Sequence, residues 1–120
     1  MGIDYSASSG YGFVLKNDED WEAMAGKLGV AYEGDDYEVL EALCSKYQVD
    51  YATAGDSYSG EVQYLIGDVR TSHIYDFQES DFMFLKKDDF NVDMFLKLEE
   101  ILSTLELDRD IKFYTGLHVY

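Results

Sequence analysis

The apolar residues of this chain switch between two spacings, and the order of the switches limits what it can fold into. From Gly2 to Leu15 they alternate. Ile3, Tyr5 and Ala7 are set against Asp4 and Ser6; after Ser8-Ser9-Gly10 the aromatic and β-branched run Tyr11–Leu15 resumes the pattern. Alternation marks a strand, here one long bulged strand or a hairpin. The spacing then becomes helical. Trp21, Met24, Ala25 and Leu28 fall at i, i+3, i+4 and i+7 and make one apolar helix face. Asn17 or Asp18 is its expected N-cap, and Gly26 and Gly29 weaken and end it. Glu33-Gly34-Asp35-Asp36 turns into a second helix with Val39, Leu40, Leu43, Cys44 and Tyr47 as its buried stripe. Asp35 with Glu38 three residues on has the layout of a capping box.

Alternation returns at Val49–Ala54 and Glu61–Ile66. The turn residues Gly55-Asp56-Ser57-Tyr58-Ser59-Gly60 lie between them, which predicts a hairpin. Gly67-Asp68 punctuates, and Val69–Tyr75 reads as a third strand. Asp76–Lys87 has no clear period, although Phe77, Phe82, Phe84 and Leu85 require some burial. The strongest helix is roughly Asn91–Leu105, with Val92, Phe95, Leu98, Ile101, Leu102 and Leu105 at helical spacing and Asp88, Asp89 or Asn91 as cap. Ile111–Tyr120 is a final strand. Its pattern predicts Ile111, Phe113, Leu117 and Val119 on one face and Lys112, Tyr114, His118 and Tyr120 on the other. The order β-α-α-β-β-β-α-β contains no repeating βα unit. It predicts one α+β domain over residues 1–120: an antiparallel or mixed sheet of about four to five strands, with three helices packed on one face.

Charge narrows the function. Twenty-five acidic residues face nine basic ones, a formal net charge of -16. Direct contact with DNA, RNA or anionic lipid needs cations the chain lacks, so neither a nucleic acid nor a membrane is expected as its partner. No apolar run approaches the roughly 18–20 residues of a membrane span. Met1–Leu15 has no basic region followed by a long apolar stretch, so no signal peptide is expected. The lone Cys44 cannot form an internal disulfide, in keeping with a reducing cytoplasm. The charge is also uneven. Asp18, Glu19, Asp20, Glu22, Glu33, Asp35, Asp36, Glu38 and Glu41 are opposed within their segment only by Lys27, which gives half the net charge in a fifth of the length. A weaker acidic series, Asp76, Glu79, Asp81, Asp88, Asp89 and Asp93, is partly offset by Lys86 and Lys87.

No motif names a reaction. Gly55-Asp56-Ser57 is similar to the Gly-Asp-Ser nucleophile motif of one esterase family. However, Ser59 stands where a Gly-x-Ser-x-Gly elbow has its second glycine, no Asp-x-x-His follows, and the segment feeds a strand rather than a helix. The turn reading is preferred, and a small hydrolase using Ser57 with His73 or His118 is the lesser alternative. Cys44 lies on an apolar stripe, where a thiol is an inert core residue. Neither Asp18-Glu19-Asp20 nor Asp88-Asp89-Asp93 has the glycine-centred calcium loop. No phosphate-binding loop is present, and zinc would require more His or Cys. No cofactor and no metal are expected, and the chain is read as not being an enzyme.

If the first two helices lie side by side, their solvent faces display Asp18, Glu19, Glu22, Asp35, Asp36, Glu38 and Glu41. Carboxylates at i, i+3 and i+4 are about 5–6 Å apart on a helix, a spacing that approaches that of phosphates along a nucleic-acid strand. Tyr32 and Tyr37 at the rim supply aromatic anchors. In size, charge and its segment Asp18–Glu41, the chain resembles the small, strongly acidic bacteriophage proteins that disable host enzymes, including DNA mimics. Met1-Gly2-Ile3-Asp4-Tyr5-Ser6 and Gly60-Glu61-Val62-Gln63-Tyr64-Leu65-Ile66-Gly67 share that look. The resemblance implies an inhibitor of a basic, nucleic-acid-handling protein, acting in a host cytoplasm as a monomer or small homo-oligomer. The competing expectation is an assembly accessory that self-associates through the edge of Ile111–Tyr120.

Overall fold

The computed structural model describes residues 4–74 and 91–120. Both periods yield the expected kinds of element. In chain order these are β1 (Tyr5–Lys16), α1 (Trp21–Leu28), α2 (Asp36–Tyr47), β2 (Asp50–Asp56), β3 (Glu61–Ile74), α3 (Val92–Leu105) and β4 (Lys112–Val119). The fold is α+β with a mixed sheet. The segments Asp76–Lys87 and the acidic series from Asp76 to Asp89 lie outside the described residues.

The stretches Glu61–Ile66 and Val69–Ile74 are both strand, and they run into one another as β3 without an intervening turn. Gly67, at φ +151°, is the point of passage. Glycine is needed there because β1 comes very close: a Cβ on Gly67 would stand 2.3 Å from the Tyr11 carbonyl oxygen. Opposite it in the ladder is Gly12, whose own Cβ would meet the Ile66 oxygen at 1.9 Å. Paired glycines let two strands coil tightly around each other.

That coiling closes the sheet. β1 pairs antiparallel with β3 from Tyr5↔Ile74 to Lys16↔Gln63, and with β4 from Tyr5↔Val119 to Gly12↔Lys112. β2 pairs antiparallel with β3, and parallel with β4 at Gly55↔His118 and Asp56↔Val119. The result is a closed four-stranded barrel in the order β1-β3-β2-β4. So narrow a barrel has little room inside. Ser8, Val14, Ala52, Ala54, Leu65, Tyr114 and Gly116 line a half-open cavity of about 70 Å³.

Closure bears on two expectations. The residues of the last strand alternate between two faces as expected, and it is the face of Tyr114 and Gly116 that turns to the cavity. Gly116 faces Ala54 across the barrel and Tyr114 lines the cavity, while Leu117 is left 49% exposed. β4, moreover, is not a free edge. It is paired along its length with β1 and held at its end by β2, at Gly55↔His118 and Asp56↔Val119.

The main core lies on the other face of β1 and β3. Phe13, Leu15, Tyr64 and Ile66 meet Trp21, Met24, Ala25 and Leu28 of α1, Val39, Leu40 and Leu43 of α2, and Leu98, Ile101, Leu102 and Leu105 of α3. These are the helical stripes read from the spacing, except that Val92 is 56% exposed and Cys44, Tyr47 and Phe95 are only half-buried. Each helix is capped by a short polar side chain. The Tyr37 N–H donates to Asp35 Oδ1 (3.0 Å) and the Met94 N–H to Asn91 Oδ1 (3.1 Å). At α1 the cap is Asp20, which accepts from the Ala23 N–H at 3.1 Å. The helix therefore begins later than Asn17 or Asp18 would set it.

Candidate functional site

The packing of α1 against α2 decides which carboxylates gather. Tyr32, on the connection between them, donates its hydroxyl to Asp36 Oδ1 at 2.9 Å. That hydrogen bond is the main reason its phenol titrates above the ordinary range; Glu22 and Asp35 add to it through their charge. One hydroxyl thus feels the charge of carboxylates from both helices. Tyr51 on β2 is likewise pushed up, first by burial and then by the charge of Glu41 and by Tyr37, with a smaller effect from Asp35. Glu22, Asp35, Glu38 and Glu41 are exposed and Asp36 is half-buried.

The floor of this face is aromatic. Tyr64 of β3 is buried and receives the edges of Trp21, Tyr37 and Tyr51, with ring centroids 5.7, 6.0 and 6.4 Å away. Burial and the adjoining Tyr37 hydroxyl hold its own phenol protonated far above neutrality. Tyr37 is 48% exposed, so one ring links the core to the solvent side of the carboxylates. The Trp21 indole N–H donates to the Asn17 carbonyl at 3.0 Å. Such edge-to-face contacts fix ring orientation and contribute about 0.5–1.5 kcal/mol each beyond burial.

No lysine or arginine among the described residues pairs with Glu22, Asp35, Asp36, Glu38 or Glu41. The cation within the segment, Lys27, points to the end of α3 instead. Its ammonium donates to the Leu105 carbonyl (3.0 Å) and lies 3.3 Å from Glu106. Lys46 rests over the Tyr47 ring at 5.6 Å.

Two of the expected face residues stand apart. Glu19 is not displayed: its side chain is 10% exposed, Oε1 receives Arg109 Nη2 at 2.6 Å, and Oε2 accepts the Lys16 N–H at 3.0 Å. It is a structural tie between the start of α1 and the segment before β4. Asp18 is exposed, but it sits with Lys16, Asn17 and Glu61 around a surface hollow beside the barrel. What remains of the expected face is Glu22, Asp35 and Asp36 about the Tyr32 hydroxyl, Tyr37 and Glu41 beside Tyr51, and Glu38 exposed on α2. Tyr51 and Tyr64 belong to it and were not marked by the sequence. Their strand alternation placed them in the sheet without showing that α2 would meet them.

Away from this face, the β2–β3 turn brings Ser57 to β4. Ser57 Oγ lies 2.6 Å from His118 Nε2, and the Ser57 N–H donates to the Val119 carbonyl at 2.9 Å. Asn17 Nδ2 donates to the Gly60 carbonyl and secures the other end of the turn. His118 stacks on Tyr120, with centroids 4.7 Å apart and planes 23° apart. Partial burial lowers its pKa, so the ring is neutral at pH 7. Sequence alone could not select His118 as the partner, because the pairing depends on the parallel register of β2 and β4.

The Cys44 thiol is pushed up to about 12, by burial first and then by Asp50 and Glu41; it is no nucleophile. Among the described residues no group of three or more His, Cys, Asp or Glu is placed to hold a metal ion. No helix among them is long and apolar enough to cross a membrane. No protein-family model, curated protein or solved structure matches the chain.

Proposed function

We propose that this protein is an acidic binding protein that occludes the nucleic-acid-binding surface of a basic partner. The observation that carries the reading is the Tyr32 hydroxyl held by Asp36, where it also feels the charge of Glu22 and Asp35, with Tyr37, Glu38 and Glu41 exposed on the same helix as Asp36 and no described cation answering them. The two packed helices set the positions of these carboxylates before binding, and cations of a partner are attracted before contact. Tyr37 supports the same reading. It is a half-exposed ring already held by Tyr64, the kind of anchor that contributes more binding energy than charges at a rim. Occlusion of this kind requires neither cofactor nor metal, and it suits a phage-encoded inhibitor working in a host cytoplasm.

The test is charge reversal that spares the fold. Glu22, Glu38 and Glu41 make no hydrogen bond within the described structure, so E22K/E38K/E41K changes the face and leaves the caps Asp20 and Asp35 in place. E99K/E100K, on exposed residues of α3, is the control. Retention of a nucleic-acid-binding protein from bacterial lysate should be abolished by the first variant, preserved by the second, and competed by duplex DNA. Equal retention by both variants would refute the reading.

A further inference from the structure

We propose that Ser57 and His118 form a nucleophile–base pair that takes the acyl group of activated esters, a reactivity independent of the acidic face. The two side chains come from the β2–β3 turn and from β4, 61 residues apart, and meet at the barrel's parallel seam, where Gly55 pairs with His118 and Asp56 with Val119. The Oγ–Nε2 distance is 2.6 Å, within reach for proton transfer. With the ring proton on Nδ1, Nε2 is the free base that accepts the serine hydroxyl. The Tyr120 ring stacked on the imidazole fixes its plane. Partial burial disfavours the imidazolium, so the base is available at neutral pH. Ser57 itself is exposed at the turn.

The step balances without another reactant. Oγ attacks the ester carbonyl carbon as Nε2 takes the hydroxyl proton. The new Oγ–C bond forms, the bond from that carbon to the leaving oxygen breaks, and the imidazolium returns its proton to the departing alkoxide or to water. Water, deprotonated by the same nitrogen, then hydrolyses the acyl-serine.

The surroundings set the substrate class. The Ser57 N–H is engaged by the Val119 carbonyl and the Tyr58 N–H by Asp56 Oδ1 at 2.9 Å. These two amides are therefore not free to stabilise an oxyanion, which costs rate on unactivated acyl groups. The pair accordingly suits esters with good leaving groups, such as aryl esters, and not amides.

The experiment treats the intact protein with p-nitrophenyl acetate and maps acetylation by peptide mass spectrometry. Ser57 should be acetylated ahead of the exposed serines Ser45, Ser59 and Ser103. The rate should rise with pH through an inflection below the ordinary histidine value of about 6.5. Ser57→Ala should abolish labelling in that turn, and His118→Gln should slow it about 100-fold. The comparison among serines needs no variant, so it stands even if His118→Gln fails to fold. Labelling of Ser57 no faster than of the other three serines, or acetylation of His118 in place of Ser57, would overturn the proposal. So would an unchanged rate in a folded His118→Gln protein.

Discussion

Glu19 offers the clearest separation of a structural carboxylate from a displayed one, and Arg109→Ala is the perturbation that shows it. Removing the guanidinium leaves Glu19 with the Lys16 N–H alone, in a site where the side chain is 10% exposed. Breaking a fully buried pair costs about 3–5 kcal/mol. Arg109 is 33% exposed, so water screens part of the interaction and the cost falls to about 2 kcal/mol. Glu19→Ala removes the charge together with its burial penalty and should cost about 1 kcal/mol. The double variant should be more stable than the sum of the singles by about 1 kcal/mol, because each single change already destroys the same pair. Urea unfolding reads this as a lower midpoint with an unchanged slope. A strictly additive double variant, or an Arg109→Ala protein within about 0.3 kcal/mol of the parent, would show that the pair is an ordinary surface contact.

Other outcomes follow from individual side chains. Leu105 is 1% exposed and Leu117 is 49% exposed; Leu105→Ala should cost about 2–5 kcal/mol, while Leu117→Ser should stay within about 0.5 kcal/mol, both by chemical denaturation. Cys44, with its thiol at about 12, holds roughly one thiolate in ten thousand at pH 8; a colorimetric disulfide reagent should react with it only as fast as the protein opens. His118 has a lowered pKa, so the unfolded chain binds more protons below pH 6.5. Its contribution is fully present above that value and is lost as pH falls through the lowered folded value. His118→Gln should therefore flatten this part of the stability–pH curve, and a variant whose curve keeps the parent's slope there would contradict the assignment.

The parts of the fold that were readable in the sequence are those fixed by neighbours in the chain. The stripes Val39, Leu40, Leu43 and Leu98, Ile101, Leu102, Leu105 are buried as their spacing predicts, and Asp35 and Asn91 cap as expected. Local chemistry was ambiguous before α1, where Asn17, Asp18 and Asp20 are all competent caps. The choice of Asp20 accompanies a distant event, the pairing of Glu19 with Arg109 ninety residues on. Gly67-Asp68 has turn chemistry, yet the glycine serves a close approach of β1 and the strand continues. Alternation sorted the residues of β4 onto two faces, but it does not reveal barrel closure and so not which face turns inward. A barrel this narrow takes Gly116 inward and leaves Leu117 outside. The acidic face was legible as composition. Its aromatic floor, Tyr51 and Tyr64, was not, since it depends on how α2 meets the sheet.

The most direct measurement is retention of a basic, nucleic-acid-binding partner by the parent chain and by E22K/E38K/E41K, at about 0.1 M and about 1 M salt. Between these the screening length shrinks from about 10 Å to about 3 Å. An ordered plate of carboxylates predicts strong retention by the parent at the lower salt, steep loss at the higher, and none by the variant at either. Retention that ignores both salt and charge reversal would mean that the carboxylates around Tyr37 serve solubility alone.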